Sequence, residues 1–408
     1  MHTFNLRLMI LNNLHQIAYK NRTFIFLLLF TLPGSFLWSQ EKPDSTRQKP
    51  FVRGGVYDKP FVTNLFGRTA IGGYTEMLWK LEREEGITEA ATFEARRFNI
   101  FLFSTISDRL RFFTELEFEH GTEEIALEFA ALDFEIHPSL VFRGGVILSP
   151  LGKFNLTHDS PLNELTDRPL VSTQIIPTAL SEIGMGVYGA FYPSLNSRLS
   201  YEMYAVNGLH EGILDNTEGT RISEGKGNLE EDNNSFPSIV SRIAYSPFSE
   251  FEIGASVHTG PFNQYNVEDV AIDEKRIVTI AALDWEFTTR DVDFLGEYAY
   301  ASIDIPAPLL GLFAERQQGI YAQLNFRFGR QWISLLPSSY VTASLRYDNV
   351  DFDADMKGDA TQRLSLGFNF RPSSDAVFKL DYHYDWMRDR LNILTRGMGL
   401  NFGLASYF

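Results

Sequence analysis

The sequence predicts an all-β chain closed into an antiparallel transmembrane β-barrel of about sixteen strands. Three observations predict it. Apolar and polar residues alternate with a period of two in one segment after another. Short turns and long loops take turns between those segments. The chain opens on a secretory leader and closes on a terminal phenylalanine.

The leader is read first. Before Glu41 the charged residues are Arg7, Lys20 and Arg22, all basic, and they precede or flank the apolar run Phe24-Ile25-Phe26-Leu27-Leu28-Leu29-Phe30. A basic segment, a short apolar core and small residues after it make a signal peptide, here 1–39. A spanning helix needs about 20 apolar residues, so this run is too short to anchor the chain. Residues 40–55 then read as a periplasmic linker and 56–408 as the barrel.

Composition narrows the function. A formal net charge of −16 argues against nucleic acid, because phosphate binding needs a basic surface. The absence of cysteine removes disulfide frameworks, thiolate metal sites and cysteine nucleophiles.

Period-two segments lie near 69–80, 92–105, 110–120, 123–136, 140–148, 182–192, 198–207, 238–246, 250–258, 276–288, 292–303, 317–328, 340–349, 362–371, 376–386 and 396–408. In the second last, Phe378, Leu380, Tyr382, Tyr384 and Trp386 oppose Lys379, Asp381, His383 and Asp385. Most segments supply the roughly 9–11 residues that a tilted transmembrane strand requires. In 123–136 the phase changes around Ala130-Ala131, the mark of a bulge.

Every second connection is short and made of turn residues, as in Ser107-Asp108-Arg109 and His137-Pro138-Ser139. The others are mostly long and polar: 149–181, 208–237, 259–275, 304–316 and 350–361. That two-rim asymmetry belongs to membrane barrels. One connection breaks it: 329–339 runs about eleven residues where a short turn is expected. Tyr and Trp near segment ends, among them Trp79, Tyr192, Trp332, Tyr347, Trp386 and Tyr407, suit interfacial girdles facing membrane lipid.

The last segment, with Met398, Leu400, Phe402, Leu404 and the terminal Phe408, resembles the sorting signal read by the outer-membrane assembly machinery. From about Val56 to Phe408 the chain resembles the trimeric sixteen-stranded outer-membrane porins, most nearly the family of phosphate-selective porins O and P. The resemblance implies a homotrimer in the bacterial outer membrane that lets small hydrophilic solutes or ions diffuse through a water-filled lumen. It implies no enzyme, no cofactor and no metal. It also implies that 149–181 folds inward as the constriction loop, carrying Lys153, His158, Asp159 and Arg168 between prolines that stiffen its backbone.

The inferred inner wall carries both signs, with Arg97, Arg111, Arg143 and Arg363 against Glu115, Glu117 and other acids. Rings of fixed charge set ion preference, so mixed rings predict weak selectivity. The spacing of neighbours on a strand predicts that Arg96 and Arg97 cannot both face inward. The Asp351, Asp353 and Asp355 run lacks the following Gly and closing Glu of a helix-flanked calcium loop. The alternative readings are an outer-membrane surface or adhesion barrel, with specificity in loops 208–237 and 259–275, or a membrane-embedded enzyme.

Overall fold

The computed structural model describes residues 52–59 and 68–408, apart from 216–218, 228, 230 and 269. The expected signal peptide and the linker as far as residue 51 lie outside the described residues.

Eighteen strands follow in chain order. They are β1 Thr69–Glu84, β2 Ile87–Ser107, β3 Leu110–Glu119, β4 Glu124–His137, β5 Leu140–Leu148, β6 Ser181–Phe191, β7 Arg198–Val206, β8 Ser238–Phe248 and β9 Phe251–Pro261. Then come β10 Asn266–Val267, β11 Val270–Ala271, β12 Ile277–Thr288, β13 Val292–Ile303, β14 Arg316–Phe328, β15 Tyr340–Asp351, β16 Ala360–Arg371, β17 Ala376–Arg388 and β18 Leu394–Tyr407. β10 and β11 form a small hairpin of their own, and the other sixteen close into one antiparallel barrel. Closure joins β1 to β18, with Tyr74 opposite Tyr407 and Glu84 opposite Gly397. No helix among the described residues is long and apolar enough to cross a membrane.

The alternation faces the opposite way from that of a soluble barrel. On β16, Leu366 and Phe368 are 52% and 54% exposed on the outside, while Ser365 before them and Asn369 after them are buried inside. β17 repeats the pattern, with Phe378 and Leu380 outward and Lys379 and Asp381 inward and buried. An apolar exterior around a polar interior is stable only where the exterior meets hydrocarbon.

Four sequence expectations shift in detail. The first outer connection is a turn at Glu85-Gly86, and β1 and β2 run on to meet it. Both turn residues have positive φ, 46° and 84°, the geometry of a tight hairpin whose second position suits glycine. The bulge in β4 falls at Glu128, because Glu115 pairs with Phe129 and Leu116 with Leu127. A second bulge, at Arg96, lies between the pairs Glu76–Arg97 and Met77–Ala95. It resets the alternation, so Arg96 and Arg97 both reach inward, against the expectation from strict period two. Tyr407 also faces the lumen, not the girdle, and is 9% exposed.

Phe408 ends the chain at the seam. Its amide donates to the Gly73 carbonyl at 3.0 Å and its carbonyl accepts from the Gly73 amide at 3.2 Å. Its ring stacks on Phe98 at 5.6 Å on the outer face. A Cβ on Gly73 would come within 2.1 Å of the Asn99 carbonyl oxygen on β2 and 2.6 Å of that ring, so only glycine fits between them.

Candidate functional site

The site is the barrel's interior, and the loop between β5 and β6 defines it. Residues 149–180 leave the wall and cross the lumen, folded as turns with one short helix, Val171–Gln174. Asn155 ties the two ends of the loop together, donating to the Ser149 carbonyl at 2.8 Å and accepting from the Leu180 amide at 2.8 Å.

The middle of the loop is held by charge. Glu164 accepts from Asn369 at 2.9 Å and pairs with Arg371 at 3.2 Å. The Asp381 carboxylate accepts the Thr166 amide at 2.5 Å, and Lys379 donates to the Ser160 carbonyl at 2.9 Å. Asp167 sits between Arg96, at 3.3 Å, and Arg363, at 3.7 Å. Burial would raise the Asp167 carboxyl, but Arg96, Arg363, His383 and Arg346 outweigh it and hold it well below the ordinary carboxylate range.

The later part of the loop is held by packing. Val171, Ile175, Ile176 and Leu180 join one buried apolar cluster with wall residues such as Ile280, Ala301, Tyr321 and Val350. Glu297 ties this part to the start of the loop, accepting from Ser172 Oγ at 2.8 Å and from the Phe154 amide at 3.2 Å.

The expected lining residues face this interior, and all but Arg168 have charged or polar side-chain partners there. Lys153 pairs with Glu252 at 3.1 Å and with Glu286. Burial lowers the Lys153 ammonium, yet Glu286 and Glu252 more than offset that and raise it. His158 places Nδ1 2.9 Å from the Asn155 carbonyl and Nε2 3.4 Å from Glu128. Asp159 accepts from the Tyr407 hydroxyl at 2.6 Å and pairs with Lys59. Arg97 is shared by Glu76 at 2.8 Å, Glu117 at 3.2 Å and Glu119 at 2.8 Å. Glu115 accepts from Asn99 at 2.7 Å. Arg111 pairs with Glu135, Arg143 with Asp133 at 2.7 Å, and Arg363 with Asp385 at 2.7 Å. Arg168 differs: Nη1 reaches the Thr178 carbonyl at 3.3 Å, while Nε and Nη2 are buried without a hydrogen-bond partner. It lines a small polar pocket with Arg97, His158, Ser160, Thr166 and Lys379.

Two further segments reach the same space. Residues 52–59, ahead of β1, enter from the side of the short turns. The Tyr57 ring packs edge-on against Phe113 at 4.6 Å, and its hydroxyl lies 2.7 Å from that of Tyr188. Lys59 lies 4.5 Å over Phe101 and pairs with Asp159 of the loop. From the other rim, loop 207–237 sends Leu209, Ile213 and Ile222 into the cluster that holds Ile175 and Ile176. Sequence reasoning assigned Tyr57 to the barrel start and missed its place inside. The aromatic and basic residues of Tyr57-Asp58-Lys59, ahead of the first strand, were the available signal. The β5–β6 loop, residues 52–59 and loop 207–237 thus all occupy part of the interior.

No family model matches the chain. It is 27% identical, over 79% of its length and 76% of the other's, to a protein of Aquifex aeolicus described as uncharacterized. Among solved structures it resembles the outer membrane channel DcaP of Acinetobacter baumannii (11% identity, TM-score 0.53, covering 83% of this chain and 97% of that one). It resembles the anion-selective porin from Comamonas acidovorans to the same degree (11%, 0.53, 83% and 99%). OmpF of Salmonella typhi, in complex with daunomycin, follows at 11%, 0.52, 83% and 98%. The fold is that of the outer-membrane porins. At these identities the likeness speaks for architecture alone, and the phosphate-selective family is not singled out by it.

Proposed function

We propose that this chain is a porin-type channel of the bacterial outer membrane, passing small hydrophilic solutes or ions when the β5–β6 loop leaves the lumen. One observation carries the reading. The inner wall is charged even where the loop covers it, as at Lys379, Asp381, Arg346 and Asp348. Burying charge is costly, and apolar side chains would hold a permanent plug at least as well. A charged wall is the wall of a lumen that meets water in another state.

Buried acids outnumber buried bases along that interior, and most bases are already paired. This supports weak selectivity with a lean towards cations, not phosphate selectivity. Assembly as a homotrimer belongs to the same reading and is checked by mass in mild detergent.

The deciding experiment is reconstitution in planar bilayers of the full chain and of a variant lacking 155–170. The full chain should conduct in rare steps and the variant in steady ohmic ones. A variant with intact β-structure that never conducts would overturn the reading.

A further inference from the structure

The connection 329–339 is long where the rim is otherwise short, and the channel reading gives it no task. It is compact. The Gln331 amide donates to the Ser339 carbonyl at 3.2 Å, that of Leu336 to Ile333 at 2.9 Å, and that of Ser339 to Leu336 at 3.0 Å. With part of its backbone bonded to itself, the turn presents its largest apolar side chains outward: Trp332 is 72% exposed, Ile333 41% and Leu335 89%. Apolar side chains of this size are favoured out of water.

The patch is continuous with the barrel's outer face. The Trp332 ring meets Phe328 edge-on at 5.8 Å. Phe328 in turn lies 5.9 Å from both Phe326 and Phe368, which are exposed on the lipid-facing side of β14 and β16. Beside it stand two cations. Arg290 is exposed in the neighbouring turn; Arg330 donates to the Arg290 carbonyl at 2.5 Å, pairs with the exposed Asp291 at 3.3 Å and lies 5.3 Å over the Tyr340 ring.

We infer that 329–339 is an interfacial anchor that sinks Trp332, Ile333 and Leu335 into the periplasmic leaflet, with Arg290 and Arg330 at the level of the lipid phosphates. The inference rests on the membrane-barrel reading. Its occupant is phospholipid because the patch extends an aromatic face that already meets lipid, and Trp and Arg are the residues that settle at that depth. At the interface, water and headgroup oxygens can take the amides that the turn does not bond itself, so the turn can sit there without the backbone penalty of the hydrocarbon core.

The chain has no cysteine, so each introduced cysteine labels one site. Leu335→Cys, Leu366→Cys and Ser374→Cys, each carrying a bimane, are reconstituted in phosphatidylcholine vesicles with and without brominated acyl chains. Position 366 reports the lipid-facing wall and 374 the neighbouring short turn. The anchor requires bromolipid quenching at 335 close to that at 366 and at least about twofold that at 374, with protection from aqueous iodide. Iodide quenching at 335 equal to that at 374 overturns it. Shielding of 335 from both quenchers also overturns it, because protein would then cover the turn. If 366 itself escapes bromolipid quenching, the membrane-barrel reading fails along with the anchor. Quenching at 366 without quenching at 335 removes the anchor alone.

Discussion

Along β16 and β17 the wall meets loop residues 160–167 with Asn369, Arg371, Lys379 and Asp381, whereas along β12–β15 it meets residues 171–180 with Ile280, Ala301, Tyr321 and Val350. The same loop is thus latched on one side and packed on the other. Buried charges regain their hydration when parted, which offsets most of the lost attraction, while apolar contacts lose their transfer energy. The difference teaches where the loop yields. On the proposed channel reading, the latch at 160–167 should open first, with the packed half at 171–180 as the hinge that keeps the loop attached.

Breaking the latch has the largest expected effect. Glu164→Ala strands the Arg371 guanidinium, which is 3% exposed and pairs with Glu164 at 3.2 Å. Removing one partner of a buried pair costs about 3–5 kcal/mol, so the open-to-closed ratio should rise about a hundredfold or more. Single-channel recording checks it. An open probability equal to that of the unaltered chain would move the latch elsewhere. Ile176→Ala sharpens the contrast on the packed side. Ile176 is fully buried, and losing its side chain should cost about 2–5 kcal/mol. Because the hinge stays packed in both states, that cost should appear as a lower thermal unfolding midpoint in detergent, with open probability little changed.

The latch was harder to read in the sequence than the barrel around it. Strands announced themselves because lipid on one side and polar contacts on the other enforce period two, as in Phe378 to Asp385. The inward loop was legible from its prolines and charges, through the resemblance. Its partners were not. Lys153 meets Glu252 and Glu286, acids that only the loop's path across the lumen brings to it. Arg96 turned inward through a bulge that strict alternation cannot foresee. Tyr57 and Lys59 lie in a stretch with no period at all, and only the fold brings them to Asp133 and Asp159.

A smaller effect separates the two sides by pH. The Asp167 carboxyl is held below its ordinary range in the closed state, so it favours closure above its unfolded value of about 3.9, and that contribution is lost as pH falls below it. Between pH 5 and 8 this group should leave closure unchanged, and opening should rise in acid below about pH 4. Asp167→Asn should raise opening at neutral pH and flatten the acid response, while Ile176→Ala keeps the acid response of the unaltered chain. Bilayer recordings from pH 3 to 7 on the three proteins test this. An acid response of unchanged size in Asp167→Asn would assign it to other carboxylates.

The smallest effect belongs to the outer rim, where charge is solvated and meets no loop. Asp273 pairs with Arg276 at 3.0 Å, but its side chain is 38% exposed. Burial contributes little to its lowered carboxyl pKa, which follows first from the Arg276 hydrogen bond and then from the Glu274 amide. An exposed pair of this kind is worth about 0–1 kcal/mol and is screened by salt. Asp273→Asn should therefore leave opening, acid response and unfolding midpoint all within the scatter of the unaltered chain. The same change of one charge produces a large effect at Glu164 and almost none at Asp273 because only the first is excluded from water and joins a moving segment to a fixed wall. Equal shifts from both variants would mean that net charge, rather than the latch, governs the lumen.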